Sequence, residues 1–322
     1  MRYLLRRAAH SFFLLTAVSL LSFAFASLTP GDFYSEMQMN PRISAETVRR
    51  LRSQQGLDRP FPARYADWAV RALRGDFGYS LAYRAPIGPL LWPRAQATLL
   101  LAISATCAAW LFALPLGIWH AAARRKTIGQ TLKLVFSLLL SVPDLLLAVV
   151  FASLAAESGC LPTGGMASSA SASMNLAGRF ADTARHLFLP ASVLALGMLP
   201  VLARHVRASM AEAMDAPFAL NARALGIPAR RILLHHLLPA ALNPLLALFG
   251  LSLGTLLSAS LLIEVVMGWP GLGPLFLDAI MARDLAIVVA VVMLSTAFVI
   301  LGNLAADLLL YRFDPRIRSK PS

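Results

Sequence analysis

The sequence is poor in charged residues and in cysteine, and each deficit excludes a class of protein. Charged residues make up 14% of the chain, whereas a typical soluble domain contains about 25%. The two cysteines, Cys107 and Cys160, lie in an apolar run and in a polar loop, which argues against a disulfide-stabilised fold. With 58% hydrophobic residues and a mean hydropathy of +0.66, the composition indicates a protein whose solvent is lipid.

Sequence motifs for nucleotide binding and metal catalysis are also missing. The chain has no Gly-x-x-x-x-Gly-Lys-Ser/Thr loop, so we expect it to bind neither ATP nor its Mg itself. The apolar runs carry no cluster of titratable residues and no zinc motif, which disfavours a membrane-embedded enzyme. An internal repeat, which often accompanies ion-gradient-driven secondary transporters, is not evident either. The sequence alone leaves both classes open as alternatives.

Six apolar runs are long enough to cross a bilayer as helices, which requires about 20 residues each. The fourth run is the weakest, because it is short and contains Pro190 and Pro200. Neighbouring helices in a bundle satisfy the backbone groups that proline frees. The sequence therefore predicts an all-α membrane protein with six transmembrane helices, near residues 9–28, 95–118, 132–156, 186–205, 242–266 and 285–310.

The first run has two interpretations. Three arginines precede it, and Ala24-Phe25-Ala26 resembles a signal-peptidase site, as in a cleaved secretory signal. Its apolar length exceeds that of a usual signal, which favours an uncleaved transmembrane helix within residues 1–28. Both interpretations place the next segment on the outer side of the membrane.

Basic residues predict the orientation of the chain. They cluster before the first run, between the second and third, between the fourth and fifth, and after the sixth. Because basic residues mark the cytoplasmic ends of membrane spans, we expect both termini, including the tail of residues 311–322, to be cytoplasmic. The net charge of +13 is distributed over these clusters and forms no single patch, so we expect no nucleic-acid partner.

Two segments are predicted to lie outside the membrane. Residues 29–94 form the longer one, and its aromatic residues and prolines predict a folded cap with short helices near 44–55 and 62–74. Residues 163–175, rich in glycine, serine and alanine, are predicted to form a flexible loop. The aromatic anchors expected in the cap are Trp68, Phe77, Tyr79, Tyr83 and Trp92.

The loop of residues 207–240, on the predicted cytoplasmic side, contains signals for a short helix over 216–225. Asp215 suits the N-cap of that helix, and Pro217 suits its first turn. Gly226 suits a left-handed stop, after which proline prevents continuation.

The helical spacing places Phe218, Ala222 and Leu225 on one face. A helix this short is marginal alone and needs a surface to pack on. That surface is either its own bundle or the lipid headgroups, or else a groove on a partner subunit, and the spacing does not decide between them.

This stretch resembles the EAA loop of permease subunits of binding-protein-dependent ABC importers. The EAA loop has a Gly and a Pro at a fixed spacing, and Gly226 and Pro239 match both of these positions. The Glu and the Ile of the same loop pattern are replaced here by Leu220 and His236. The peptide and nickel branch more often reads Tyr-x-Arg-Thr-Ala-Arg-Ala-Lys-Gly. Here Leu220 and Leu225 replace two of its basic residues. By this resemblance the ATPase-coupling residues are Asp215, Phe218, Ala222, Arg223, Ala224, Leu225, Gly226 and Pro239.

Shorter matches to the same family follow in order along nearly the whole chain. They are Leu28-Thr29-Pro30-Gly31-Asp32, Gly56-Leu57-Asp58-Arg59-Pro60, Tyr65-x-x-Trp68, Gly75-Asp76-Phe77-Gly78-x-Ser80, Trp269-Pro270-Gly271-Leu272-Gly273, Arg283-Asp284 and Asp314-Pro315-Arg316-Ile317-Arg318. The resemblance implies a five-helix permease core over residues 95–310, to which the N-terminal helix and the outer segment are added. It also implies uptake of peptides or a related solute across a bacterial inner membrane by alternating access. The implied partners are a second homologous permease, two ATPase subunits that bind ATP and Mg, and an extracytoplasmic solute-binding protein.

Asp144 is an ionisable residue inside the third apolar run. If that run is one straight helix, Asp144 lies about 16 Å from Lys133, close to the bilayer midplane. Ser141 and Pro143 precede it and are expected to open the helix locally. Asp144 then either meets a cationic group of the solute, or is hydrogen-bonded between helices or lies near a water-filled gap. Ser141, Pro143, Thr255 and Ser258 are the other candidates for the solute pathway.

Two glycines in the fifth run predict a close helix contact. Gly250 and Gly254 form a Gly-x-x-x-Gly pair, which lets two helix backbones approach each other. The adjacent His235 and His236 point about 100° apart on a helix, so we expect no metal site there. Asp307 is predicted to pair with Arg312 at the end of the sixth run.

Overall fold

The computed structural model describes residues 2–28, 44–54, 56, 58–123 and 126–313. These residues are mostly helical, as the sequence predicts, and include one short antiparallel hairpin, β1 Tyr79–Ser80 with β2 Ala85–Pro86. The helices are α1 Arg2–Leu28, α2 Ala45–Gln54, α3 Phe61–Leu73, α4 Ile87–Ala122, α5 Lys126–Ser141, α6 Asp144–Ser158, α7 Leu176–Asp215, α8 Pro217–Ala224, α9 Ala229–Ile232, α10 Leu238–Val266, α11 Leu272–Met281 and α12 Leu285–Phe313. The chain forms two compact units, Met1–Thr98 with Pro270–Phe298 and Leu99–Trp269 with Val299–Ser322.

Five helices in the described part of the chain are long and apolar enough to cross a membrane: α1, α4, α7, α10 and α12. A sixth span exists if the bent pair of α5 and α6 counts as one. With the bent pair counted as one span, the number of spans is six, as predicted. The helices extend beyond the predicted spans, most of all α4 and α7, with 36 and 40 residues.

The third predicted span is not a straight helix. Residues Gly129–Ser141 and Asp144–Ser158 meet at a bend of 92°. Pro143 has an extended backbone, with φ −59° and ψ 139°, so the helix stops there and a new one starts at Asp144. The expected local opening at Ser141 and Pro143 is confirmed, but its size goes well beyond an ordinary proline kink.

The fourth predicted span belongs to the longest of the described helices, so its description as short was wrong, although its mean hydropathy of 1.9 is the lowest among the five. Helix α7 continues through Pro190 and Pro200, both of which are buried. Its apolar stretch is also the most buried of the candidate spans. Neighbouring helices therefore enclose the positions at which proline removes a backbone hydrogen bond.

The core of the larger unit is built around α7. Leu202, Val206 and Met210 are fully buried there, and residues of α4, α5, α8 and α10 pack against the same cluster. Small residues allow the closest approaches. At Gly117 of α4, an added side chain would collide with Val206 and with the backbone of Ala203.

Glycines bring α10 and the end of α12 into direct contact within this unit. The Gly250 position lies against Ala306, and the Gly254 position lies against Val299. On the facing helix, Gly302 packs against Leu253. The predicted role of the Gly-x-x-x-Gly pair is confirmed, because a larger residue would force the backbones apart.

An aromatic cluster joins α1 to α3 in the smaller unit. The ring of Phe23 lies 5.7 Å, centroid to centroid, from each of the rings of Phe61, Tyr65 and Trp68. The Ser19 and Tyr65 hydroxyls are hydrogen-bonded at 2.8 Å. The predicted cap helices are confirmed as α2 and α3. Of the five expected anchors, Trp68 is buried, whereas Tyr79, Tyr83 and Trp92 are exposed and Phe77 is partly buried.

A buried carboxylate fixes the hairpin in the same unit. The Ser80 hydroxyl donates to Asp284 Oδ2 at 2.6 Å, and the Ala82 N–H donates to the same atom at 3.2 Å. The other oxygen, Oδ1, accepts from the Ile287 N–H in the first turn of α12. Asp284 thus caps a helix and anchors a turn at once, and it is 3% exposed.

Tyr83 closes the same hairpin at its surface. Its hydroxyl donates to Asp278 Oδ2 at 3.1 Å. Partial burial and, to a smaller extent, this hydrogen bond raise the pKa of Tyr83. The phenol therefore stays protonated at neutral pH and remains the donor of this bond.

Residues 163–175 are more ordered than the predicted flexible loop. They contain a 3₁₀ helix, Ser169–Ser173. The Gly165 N–H donates to the Gly268 carbonyl at 2.9 Å, and the Ser168 N–H donates to Asp182 at 2.7 Å. The segment has few large apolar side chains to pack in a core. Hydrogen bonds from its backbone to neighbouring segments hold it in place instead.

Several sequence predictions lie outside the described residues. They concern the motif of residues 29–32, the side chain of Arg312 that was expected to pair with Asp307, and the tail motif beginning at Asp314.

Candidate functional site

Helix α8 follows α7 after a single extended residue. Its N-cap is Ala216, with φ −68° and ψ 146°, and no side chain caps the helix. Asp215 is instead the last residue of α7, so the predicted N-cap role of Asp215 was wrong. Pro217 occupies the first turn, as expected, because its missing N–H costs nothing there.

The two sides of α8 have different surroundings. Ala219 and Ala222 are buried and belong to the core cluster of the larger unit. Phe218, Leu220 and Leu225 are exposed, with 42%, 55% and 79% of their surfaces accessible. Residues at the predicted helical spacing therefore differ in their surroundings, since the small Ala222 packs inward and the larger Phe218 and Leu225 remain exposed.

Gly226 ends the helical segment in the predicted left-handed conformation, with φ +71°. Its N–H donates to the Arg223 carbonyl at 3.0 Å, and the next N–H, of Ile227, donates to the Ala222 carbonyl at 3.2 Å. A Cβ at this position would meet nothing within 4 Å. Backbone conformation, and not space, is therefore what requires glycine here.

A π-helical turn, Leu233–Leu237, precedes Pro239. Pro239 lacks the N–H of an ordinary helical hydrogen bond, and the Leu238 N–H reaches back to the Leu233 carbonyl instead. Pro239 itself is exposed, in the first turn of α10.

Exposed cationic side chains accompany the exposed apolar residues in the segment of α8 and α9. Arg223, Arg230 and Arg231 are all exposed, and none forms an ion pair among the described residues. Ala224 is exposed beside them. The segment therefore combines three exposed apolar side chains with three exposed cations, a composition that suits an acidic and partly apolar surface.

The break between α5 and α6 forms a second feature of the same unit. Asp144 is the first residue of α6, where the positive end of the helix dipole stabilises a carboxylate. It is partly buried, and its carboxylate lies against Gly197 of α7, where any side chain would collide with it. Ser141 and Pro143 are exposed, and the Ser141 hydroxyl donates to the Leu138 carbonyl at 2.7 Å.

The 92° bend invalidates the predicted depth of Asp144, which assumed a straight helix. The structure nevertheless places Asp144 at a helix break that contacts α7. Non-helical backbone within a membrane is tolerated only where it is buried in protein or lines a polar cavity. Asp144 therefore remains a candidate for the solute pathway.

The hydroxyls proposed for the pathway bond to their own helix. Thr255 donates to the Leu251 carbonyl at 2.9 Å, and Ser258 donates to the Gly254 carbonyl at 3.2 Å. Both residues are exposed and lie three positions apart on α10. Each hydroxyl donates its hydrogen to its own helix and can offer a solute only its oxygen as an acceptor. The two residues would therefore give a pathway a mildly polar stripe.

Sequence reasoning overlooked Glu264, which is fully buried near the end of α10. The Trp269 N–H donates to its backbone carbonyl at 2.9 Å. The sequence could have identified Glu264 as a candidate, because acidic residues are rare inside apolar runs of this length. No group of three or more potential metal ligands was found among the described residues.

Comparison with protein families gives two matches that together cover most of the chain. Residues 113–319 match the family described as binding-protein-dependent transport system inner membrane component. Residues 1–86 match the N-terminal region described for the membrane components of such systems.

Curated relatives match over their full length. The chain is 32% identical to the oligopeptide transport system permease protein AppB of Bacillus subtilis, with 98% of each chain covered. It is 32% identical to the dipeptide transport system permease protein DppB of Escherichia coli K12, with 99% of each covered. It is 31% identical to the glutathione transport system permease protein GsiC of Salmonella choleraesuis, over 99% of this chain and 100% of the relative.

A solved structure shares the fold. A chain of the MetNI methionine ABC transporter, in inward-facing conformations, superposes with a TM-score of 0.54 at 20% identity. The match covers 70% of this chain and 96% of the other.

Proposed function

This chain belongs to the family of binding-protein-dependent transport system inner membrane components, and we propose that it forms part of the solute pathway of an importer for peptides or a related small solute. It is a multi-pass inner-membrane transport subunit, not an enzyme and not an ion-gradient-driven secondary transporter. The relatives named for oligopeptide, dipeptide and glutathione transport support a peptide-like solute.

Membership of this family implies an ATPase and a solute-binding protein as partners. Two ATPase subunits and a second homologous permease complete our proposed assembly, with ATP and Mg held by the ATPases. The absence of a phosphate-binding loop from the sequence supports that division of roles. The basic clusters support cytoplasmic termini.

The proposed coupling mechanism is supported by the position of α8, which is buried on one side and exposed on the other. Ala219 and Ala222 fix the helix to the core of its unit, so a displacement of α8 is transmitted to α7 and α10. Phe218, Leu220 and Leu225 remain available to a partner. We propose that the ATPase binds this exposed side, and that its closure moves the bundle between inward-facing and outward-facing packings.

Gly226 provides the first test. A valine at its φ of +71° is strained by about 1–3 kcal/mol, so the stop after α8 is lost. We expect Gly226→Val to abolish solute uptake in cells while the chain still inserts in the membrane at parental abundance. Gly226→Asn is the matched control, because asparagine tolerates the left-handed conformation, and it should retain most uptake. Parental uptake by the valine variant would refute the coupling role.

Leu225 tests the docking side independently of backbone strain. We expect Leu225→Glu to reduce co-purification of the ATPase subunits and solute-stimulated ATP hydrolysis by about thirtyfold, because a hot-spot apolar contact is worth about 2 kcal/mol or more. Leu176→Glu is the control, since Leu176 is equally exposed, at 83%, in the first turn of α7. Equal effects of the two variants would show that exposure alone explains the loss.

A further inference from the structure

A cavity of about 560 Å³ lies between α1, α3 and the first turns of α12 in the smaller unit. This volume is within the range of small-molecule sites, about 300–1,000 Å³. One part of its wall is apolar and another part is charged. The apolar lining is Phe23, Ala26, Val70, Leu285, Ala286 and Val289, and the charged lining is Arg59, Arg64, Asp67 and Arg71.

The cavity lies at the level where α1 leaves the membrane. The apolar span Ala9–Leu28 has 20 residues, a length of about 30 Å, which matches the hydrocarbon thickness of a bilayer. Ala26 and Ser27, in the last turn of that span, line the cavity. The cavity therefore lies at headgroup depth, where Tyr65 and Trp68 are also typical residues.

The charges of the cavity are unbalanced. Arg59 forms an ion pair with Asp67 at 2.8 Å, which leaves two further arginines. In the part of the chain that the structure describes, neither Arg64 nor Arg71 forms an ion pair with a carboxylate. The guanidinium of Arg64 lies over the ring of Phe23, 5.7 Å from its centroid, where the polar and apolar walls meet.

The indole of Trp68 packs in the same wall. Trp68, which is 9% exposed, lines the cavity. Its indole N–H is buried without a hydrogen-bond acceptor among the described residues. The indole nitrogen is inaccessible to water, so this N–H does not face the open volume of the cavity. The Arg71 Nε–H donates to the Asp67 carbonyl at 3.3 Å, but Arg64 and Arg71 have no carboxylate partner among the described residues, so the cavity is short of acceptor oxygens.

We propose that this cavity binds an anionic phospholipid. The phosphate oxygens accept from the guanidinium groups of Arg64 and Arg71, which suit the forked geometry of a phosphate diester. An acyl chain lies along the apolar wall at Phe23 and Val289. A zwitterionic headgroup binds less well, because its cationic end meets the same arginines. This proposal rests on the membrane span of α1 and is independent of the transported solute.

The probe is dioctanoyl phosphatidylglycerol, added to the full-length chain purified with its co-purifying subunits in a neutral detergent. Native mass spectrometry gives the apparent Kd for this lipid and for dioctanoyl phosphatidylcholine. We expect phosphatidylglycerol to bind the parent at least about tenfold more tightly. The double variant Arg64→Gln, Arg71→Gln should lose that preference, because it retains the size of the side chains but removes both charges.

The matched control is Arg50→Gln, Arg74→Gln, which removes two exposed charges of the same unit outside the cavity. It should retain the preference for phosphatidylglycerol. If the double glutamine variant of the cavity fails to fold, Val70→Trp replaces it, since Val70 is half exposed and its enlargement fills the cavity without changing any charge. That variant should weaken phosphatidylglycerol binding as well.

Two results would overturn the proposal. The site is wrong if folded cavity variants bind phosphatidylglycerol as the parent does. The lipid identity is wrong if inorganic phosphate at the same concentration competes as well as phosphatidylglycerol, because a free anion then explains the affinity without the apolar wall.

Discussion

Prolines in two neighbouring parts of one bundle have opposite effects on the backbone. At Pro143 the helix stops, and its continuation turns by 92°. Helix α7 continues through both Pro190 and Pro200. Pro143 is exposed, whereas the two prolines of α7 are buried.

The difference follows from packing and from local hydrogen bonding. Around Pro143 the residues Ser141 and Val142 are exposed, and the Ser141 hydroxyl competes for the Leu138 carbonyl. Around Pro190 and Pro200 the neighbouring helices hold α7 on several sides. Proline marks where a helix is weak, and the surrounding contacts decide whether it breaks there.

The largest effect is expected where the two regions meet. Gly197 lies between the prolines of α7, and Asp144 packs against it from the break. Gly197→Val should destabilise the chain by about 1–3 kcal/mol through overpacking and abolish uptake. Thermal unfolding in detergent and solute uptake measure the two effects. Gly88→Val, where a Cβ meets nothing within 4 Å, is the control and should change both far less.

The second prediction concerns the break itself. Pro143→Ala restores a backbone donor and should allow α5 and α6 to straighten, which displaces Asp144 and lowers uptake several-fold. Spin labels at Lys133 and Ser158, in a chain whose Cys107 and Cys160 are replaced by serine, report the distance. A straight helix separates these positions by about 38 Å, and the bent pair is shorter. An unchanged distance would show that packing alone maintains the bend.

The third prediction tests what the break presents to the solute. If the Asp144 carboxylate meets a cationic solute group, Asp144→Asn should reduce uptake of cationic peptides by about tenfold, equivalent to about 1.4 kcal/mol. Uptake of neutral peptides should hardly change. Competition assays with the two peptide classes measure the difference. Equal kinetics for both classes would favour the structural alternative, a carboxylate that only packs against α7.

The smallest effect is expected at the prolines that do not break a helix. Pro200→Ala removes buried methylene groups worth about 0.8 kcal/mol each, but it regains a backbone hydrogen bond, so the two terms largely cancel. The melting temperature and uptake should stay near those of the parent. A loss of uptake as large as that of Pro143→Ala would mean that Pro143 and Pro200 have the same role. The difference between the two regions would then not hold.

The sequence was sufficient for features set by length and by local backbone chemistry. Apolar run length predicted the spans, Gly250 and Gly254 predicted a close contact, and Gly226 predicted a left-handed stop. The spans and the stop depend on local sequence, whereas the close contact needs only some facing helix, which here supplies Ala306 and Val299. Local sequence also sets the cap helices α2 and α3, whose boundaries follow prolines and polar turns.

Features set by tertiary contacts were beyond the sequence. Helical spacing could not show that Ala222 packs inward while Phe218 and Leu225 do not, because α7 decides which side of α8 is covered. The bend after Ser141 likewise depends on which neighbours surround the proline. The partly buried Asp144 was recognised from its charge, but its contact with Gly197 required the structure.

The hydrogen bond between Ser80 and Asp284 joins residues 204 positions apart. Its unit is assembled from the beginning of the chain and from Pro270–Phe298. During synthesis the ribosome must therefore translate as far as Phe298 before this unit acquires its last piece. A polypeptide that terminates before Asp284 leaves the Ser80 hydroxyl without its buried acceptor. We expect proteases to degrade such an incomplete unit.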